Sequence, residues 1–168
     1  MAEAKAVTVR PAISADSAAI YDFIRQLADY EKLLHAVEAT EADIASSLFG
    51  ADPRAFCDIA EADGRSVGIA LWFYNFSTFR GRHGIYLEDL FVAPQARGLG
   101  AGKALLRALA RRCVTEGLGR LEWAVLDWNE PSIRFYDGLG ADAMDEWTIR
   151  RLSGEALHAL AKSAAPWP

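Results

Sequence analysis

The feature that most narrows the fold is a strand-like run, YLEDLFV (86–92), followed almost at once by PQARGLGAGKALLRALARRC (94–113). Gly98, Gly100 and Gly102 fall within five residues, directly before an apolar-periodic stretch. Glycine weakens an ordered segment, so such crowding implies positive φ or a close approach to the backbone. The pattern predicts strand, tight turn and then a helix to about residue 115. A helix start leaves backbone N–H groups without partners and carries the positive end of the helix dipole. Such a turn suits a phosphate-type anion, and Arg97 and Lys103 add positive charge.

Two familiar glycine loops do not fit. A dinucleotide fingerprint requires Gly-x-Gly-x-x-Gly, and the glycines at 98, 100 and 102 have another spacing. A nucleotide-hydrolase loop requires Ser or Thr after Gly-Lys, and Ala104 follows Gly102-Lys103.

Around this turn the chain alternates strand and helix signals. AVTVR (6–10) reads as a strand ended by Pro11, and Ile20, Phe23, Ile24 and Leu27 form one apolar helical face. Thr40 with Asp43 three residues on marks a helix start. AFCDIAE and SVGIALWFYN read as strands about a turn at Asp63-Gly64. FSTFRGRHG (76–84) reads as loop, and RLEWAVL as strand. NEPSIRFYDGLG reads as a short helix with Pro131 in its first position, and DEWTIRRL as a final strand. The order β-α-α-β-β-β-α-β-α-β fits one α/β or α+β domain.

The 168 residues suit a single domain, and 52% hydrophobic residues suffice for a core. A net charge of −5 disfavours nucleic acid and anionic membranes as partners and is compatible with a cationic substrate. Two cysteines and three scattered histidines give no disulfide framework and no metal-ligand spacing. No apolar run approaches the ~20 residues of a membrane span, and the first residues lack a leader's apolar core, so a cytoplasmic location is expected.

QARGLGAG resembles the coenzyme A pyrophosphate loop of the Gcn5-related N-acetyltransferases, with Gln95, Gly98 and Gly100 in the matching positions. TVRPAISADSAAIYDFIRQLADYEK, YLEDLFV and WAVLDWNEPSIRFYDGLGA extend the likeness to the diamine (spermidine/spermine) and thialysine branch, from about residue 7 to about 152. The resemblance implies an acetyltransferase domain over residues 5–152, followed by a short helix or tail at 153–168. Its fold would be a mixed, largely antiparallel twisted sheet with helices on both faces. It implies acetyl-coenzyme A as cosubstrate, no metal, and a homodimer.

The resemblance also assigns roles. Residues Arg97, Gly98, Leu99, Gly100, Ala101, Gly102 and Lys103 match the pyrophosphate turn. Phe91 and Val92 match backbone donors to the thioester and pantetheine arm. Asn129 and Ser132 match coenzyme contacts, and helix capping is the alternative for both. Tyr136 matches the acid that protonates the departing thiolate. Glu88 matches the group that deprotonates the amine through water, on a strand that carries a bulge in the family. Tyr30, Glu31, Glu88, Asp89 and Trp147 match substrate contacts, because carboxylates pair with ammonium groups and aromatic faces attract cations.

In one place the chain departs from the branch. Ser77 or Thr78 stands where the branch has an acid and Phe79 where it has a tryptophan, beside Arg80, Arg82 and His83. Long polyamines therefore fit less well than a shorter diamine or a lysine-like amino acid. The expected activity is acetyl transfer to a primary amine of a small cation. A protein or peptide acetyltransferase and a non-catalytic coenzyme A-binding protein are the alternatives.

Overall fold

The computed structural model describes residues 6–163, in two packed units, Met1–Ala124 and Val125–Pro168. The first unit holds a five-stranded sheet in the order β1-β2-β3-β4-β5. Its strands are β1 (Thr8–Pro11), β2 (Phe56–Ala62), β3 (Arg65–Ser77), β4 (Arg82–Val92) and β5 (Leu121–Trp123). β1 to β4 pair antiparallel, and β4 with β5 pairs parallel. The β2–β3 hairpin turns where expected, with φ of 52° at Asp63 and 71° at Gly64. Positive φ at both central residues matches the twist of the paired strands.

Helices α1 (Ser17–Tyr30) and α2 (Glu41–Phe49) cover one face. Ile20, Phe23 and Leu48 pack there with Cys57, Ile59, Ile69, Leu71 and Phe91, and Ile24 and Leu27 extend the α1 stripe. Thr40 and Asp43 form a reciprocal capping box at the start of α2. The sheet's other face packs against α3 (Ala101–Thr115), which buries Ala101, Leu105, Leu106, Leu109 and Cys113. Arg10 ties the β1 end to α1, with Nη1 2.7 Å from Asp16 Oδ2 while Nε donates to Glu61 Oε1.

Several expectations need correction. The loop expected over 76–84 is only residues 78–81, because β3 runs on to Ser77 and β4 begins at Arg82. Phe76 and His83 are ladder partners with their rings 5.1 Å apart, which keeps the hairpin paired almost to its tip. β5 is three residues rather than seven, since its ladder stops at Leu87↔Trp123, just before β4 bulges. DEWTIRRL is not a strand. Among the described residues of the second unit there is no other strand to pair with it, and an isolated extended segment has no ladder to hold it. The described order is therefore β-α-α-β-β-β-α-β-α, closed by a helix α5 (Gly154–Ser163). The expected tail beyond it, 164–168, and the domain's expected first residue, 5, lie outside the described residues.

The second unit also carries α4 (Glu130–Asp137). Asn129 caps it, its Oδ1 accepting from Ser132 N at 3.4 Å. Pro131 takes the second helical position rather than the first, where its missing N–H is equally harmless.

Candidate functional site

The glycine turn has the form its sequence suggests. After Val92 the chain passes a single 3-10 turn (Pro94–Ala96) and then Arg97 in extended conformation. Gly98 and Gly100 adopt φ of 82° and 85°, and Gly100 is the left-handed N-cap of α3. A Cβ at either glycine would meet nothing within 4 Å, so the demand for glycine is conformational and the space before the turn is open. Gly102 already belongs to α3, and the helical ladder begins with Ala104 N donating to Gly100 O at 2.9 Å. The amides of Ala101, Gly102 and Lys103 precede that first bond and have no intrahelical acceptor. An anion with several oxygens fits this cradle.

β4 is distorted where the chemistry is expected. Leu71 pairs with Asp89 and Trp72 with Leu87, so Glu88 is the extra residue of a β-bulge. β5 stops opposite Leu87, and no described strand pairs with that edge of β4 beyond it. Ala93 N donates to Val67 O, toward β3, at 2.9 Å. Alternation along the strand turns Phe91 the same way and Leu90 and Val92 toward the open edge. Phe91 thus directs its amide into the sheet and its ring into the core, 5.7 Å from the Phe23 ring. Val92 and Leu90 both direct their amides outward, which only the ladder register reveals.

Three acids converge near the bulge. Glu88 is exposed and Asp89 half-buried, while Glu31 is the C-cap residue of α1. Burial lifts the Asp89 carboxyl to about 6, and the charges of Glu88 and Glu31 add to the lift. Burial raises Glu31 as well. The charges of Glu88 and Glu31 both act on Asp89, so the three acids lie close enough for repulsion to be felt there. Beside them, the Arg97 guanidinium lies 5.3 Å from the centre of the Tyr30 ring and its Nε donates to Val92 O. Gln26, Asp29, Tyr30, Phe91, Pro94 and Arg97 line a cavity of about 260 Å³ there. The first unit therefore gathers Tyr30, Glu31, Glu88, Asp89, Val92 and the glycine turn around one end of β4.

The remaining candidates lie in the second unit. Asn129 and Ser132 make the α4 cap. Tyr136 is in the last turn of α4, its ring 5.3 Å from that of Phe135, and its carbonyl accepts from Leu139 N at 2.9 Å. Trp147 closes a turn by donating its N–H to Met144 O at 3.1 Å.

A five-stranded mixed sheet splayed at a bulge, with a left-handed glycine turn feeding a helix, defines the acyl-coenzyme A acetyltransferase class. The chain matches the profile of the acetyltransferase (GNAT) family over residues 18–141 and belongs to that family. It is an N-acetyltransferase, and enzymes of this family use acetyl-coenzyme A as cosubstrate. It is 37% identical over 164 residues to a thialysine N-epsilon-acetyltransferase of Mus musculus, covering 91% of this chain and 96% of that one. It is 31% identical over 199 residues to an L-ornithine N5-acetyltransferase of Arabidopsis thaliana, covering 92% and 87%. Among solved structures, an integron cassette protein from the mobile metagenome of V. cholerae superposes with a TM-score of 0.78 at 26% identity, covering 93% of this chain and 98% of that one.

Proposed function

We propose that this enzyme acetylates the terminal primary amine of a small cationic molecule, a short diamine or a lysine-like amino acid in preference to a long polyamine. The observation that carries this reading is the cluster of Glu31, Glu88 and Asp89, in which burial and the two neighbouring charges raise the Asp89 carboxyl. An ammonium substrate pairs with such carboxylates. The relatives that act on thialysine and ornithine support the choice of a lysine-like amine. So does the β3–β4 hairpin, which offers no acid. Ser77 is buried with its Oγ accepting from Arg80 N, and Arg80 Nη1 donates to Gly119 O.

The chain's own groups divide the work. The turn amides from Gly98 to Lys103, with the charges of Arg97 and Lys103, hold the pyrophosphate of the cosubstrate. The outward backbone of Leu90 and Val92 grips the pantetheine arm, and Val92 N–H stabilises charge developing on the thioester oxygen. Phe91 shapes the core beneath them. Asn129 and Ser132 keep the α4 cap and meet the coenzyme beside it. Tyr30 and Trp147 wall the acceptor, and Asp89 and Glu31 orient its ammonium. Glu88, exposed on the bulge, takes the amine proton through water, and Tyr136 returns a proton to the leaving sulfur. The acetyltransferase domain spans residues 5–152, and the protein acts as a cytoplasmic homodimer.

Thiol release from acetyl-coenzyme A with L-ornithine as acceptor tests the base. Glu88→Gln is expected to cut kcat about 10²-fold or more. An unaltered kcat would remove Glu88 from the role.

A further inference from the structure

A second cavity, of about 180 Å³, lies in the first unit where β2 begins. Asp58, Phe56, Trp72, Tyr74 and Arg112 are among its walls. Buried acids are ordinarily paired, and among the described residues the other buried acid of this unit obeys the rule: Asp16 is held by Arg10 and by the Ile13 N–H. Asp58 is 4% exposed, yet the polar contact to its carboxylate comes from a neutral group, Trp72 Nε1 at 3.1 Å. The charge of Arg112 acts on this carboxylate. Its guanidinium is turned to Glu116 Oε1 at 3.2 Å and to the Trp72 ring at 4.8 Å, and it makes no ion pair with Asp58 among the described residues. Burial opposes the ionised Asp58 carboxylate and the Arg112 charge favours it, and Asp58, Arg112 and Glu116 set two acids against one base.

The rings complete the site. Phe56 stacks on Trp72 with centroids 4.8 Å apart, and Tyr74 stands edge-on to both at 5.7 and 5.3 Å. Tyr74 is fixed in turn by its hydroxyl, which donates to Glu116. A carboxylate beside several aromatic faces is what a desolvated ammonium seeks. The volume far exceeds the ~10–15 Å³ that admits one water, so a short alkyl chain has room. The ladder register separates the Asp58 carboxylate from the acceptor acids. Asp89 aligns with Leu71 and Cys57, whereas Asp58 aligns with Ala70 and Phe56 with Trp72, on the opposite face of the sheet.

We propose that this cavity is a second cation site, which takes a small primary alkylammonium ion with its nitrogen on Asp58 and its chain against Phe56, Trp72 and Tyr74.

The Trp72 indole N–H reports on the site directly, because it donates to Asp58. Its proton–nitrogen NMR signal, assigned with Trp72→Phe, would be followed while n-propylammonium chloride is added, with potassium chloride and n-propanol as controls. A saturable shift is expected with propylammonium alone. Asp58→Asn keeps the hydrogen-bond acceptor and the size, and should weaken binding about tenfold or more. Phe56→Leu removes one ring and should weaken it about two- to fivefold, while the acceptor-site variant Asp89→Asn leaves it unchanged. No saturable shift, an equal shift with propanol, or full binding by Asp58→Asn would overturn the proposal. Loss of binding in Asp89→Asn alone would assign the ammonium to the acceptor site instead.

Discussion

Replacing Asp89 with asparagine should make the protein more stable and its acceptor binding weaker, both from one cause. Burial and two neighbouring acids lift this carboxyl to about 6, roughly two units above its value of ~3.9 in an unfolded chain. At about 1.4 kcal/mol per unit, the ionised side chain costs the fold about 3 kcal/mol. The folded state holds the proton longer than the unfolded state does. The stabilising contribution of the protonated form is therefore complete below pH ~4 and lost as pH rises through about 6. Asparagine does not ionise and escapes this loss. In urea titrations the variant should gain up to about 2–3 kcal/mol at pH ~7.5, and about half of that at pH ~5. Calorimetric titration of L-ornithine into the coenzyme A complex should meanwhile show binding weakened about tenfold, because a charged contact is gone. Wild-type affinity should itself fall as pH drops through about 6, and the variant should lack that inflection. A variant no more stable than the parent at pH ~7.5, or a gap that ignores pH, would refute the electrostatic argument. Unchanged ornithine affinity would remove Asp89 from the acceptor site.

Two further changes probe the coenzyme side. Gly100→Ala must hold a β-carbon at φ 85°, which costs about 1–2 kcal/mol or re-aims the turn, so coenzyme A affinity should drop about 5- to 30-fold by fluorescence titration. Gly102→Ala lies inside α3 and should instead raise helix stability by up to about 1 kcal/mol in thermal unfolding; the reverse order of stability would contradict the assigned turn. Tyr136→Phe should lower kcat by roughly 10²–10⁴-fold while coenzyme A binding stays within about twofold, and full activity would end its role as the acid.

The parts legible in the sequence were those with local causes. Gly98 and Gly100 announced their left-handed turn because few other residues tolerate it, Thr40 and Asp43 announced a cap, and Asp63-Gly64 a hairpin. The glycine-rich family motif fixed the class. The misreadings concern pairing, which local sequence does not encode. DEWTIRRL alternates like a strand but has no described ladder partner, and RLEWAVL stops after Trp123 because β4 bulges at Glu88. The gly–basic appearance of FSTFRGRHG suggested a loop, yet cross-strand contacts such as Phe76 with His83 hold most of it in the sheet. The same limit applies within the site. Phe91 and Val92 look equivalent in sequence, and only the register separates the inward amide from the outward one. Asp58 looked like one more strand residue until burial and the Trp72 bond set it apart.

The acceptor is the central claim, and competition tests it most directly. Thiol release and mass analysis of products would be followed with acetyl-coenzyme A and an equimolar mixture of thialysine, L-ornithine, 1,3-diaminopropane, spermine and a lysine-containing peptide. The acid cluster at Glu31, Glu88 and Asp89 predicts that acetyl appears on the terminal amine of a lysine-like amino acid or the short diamine, with kcat/KM at least about tenfold above spermine and the peptide. Acetylation of the peptide alone, or spermine as the best acceptor, would contradict it.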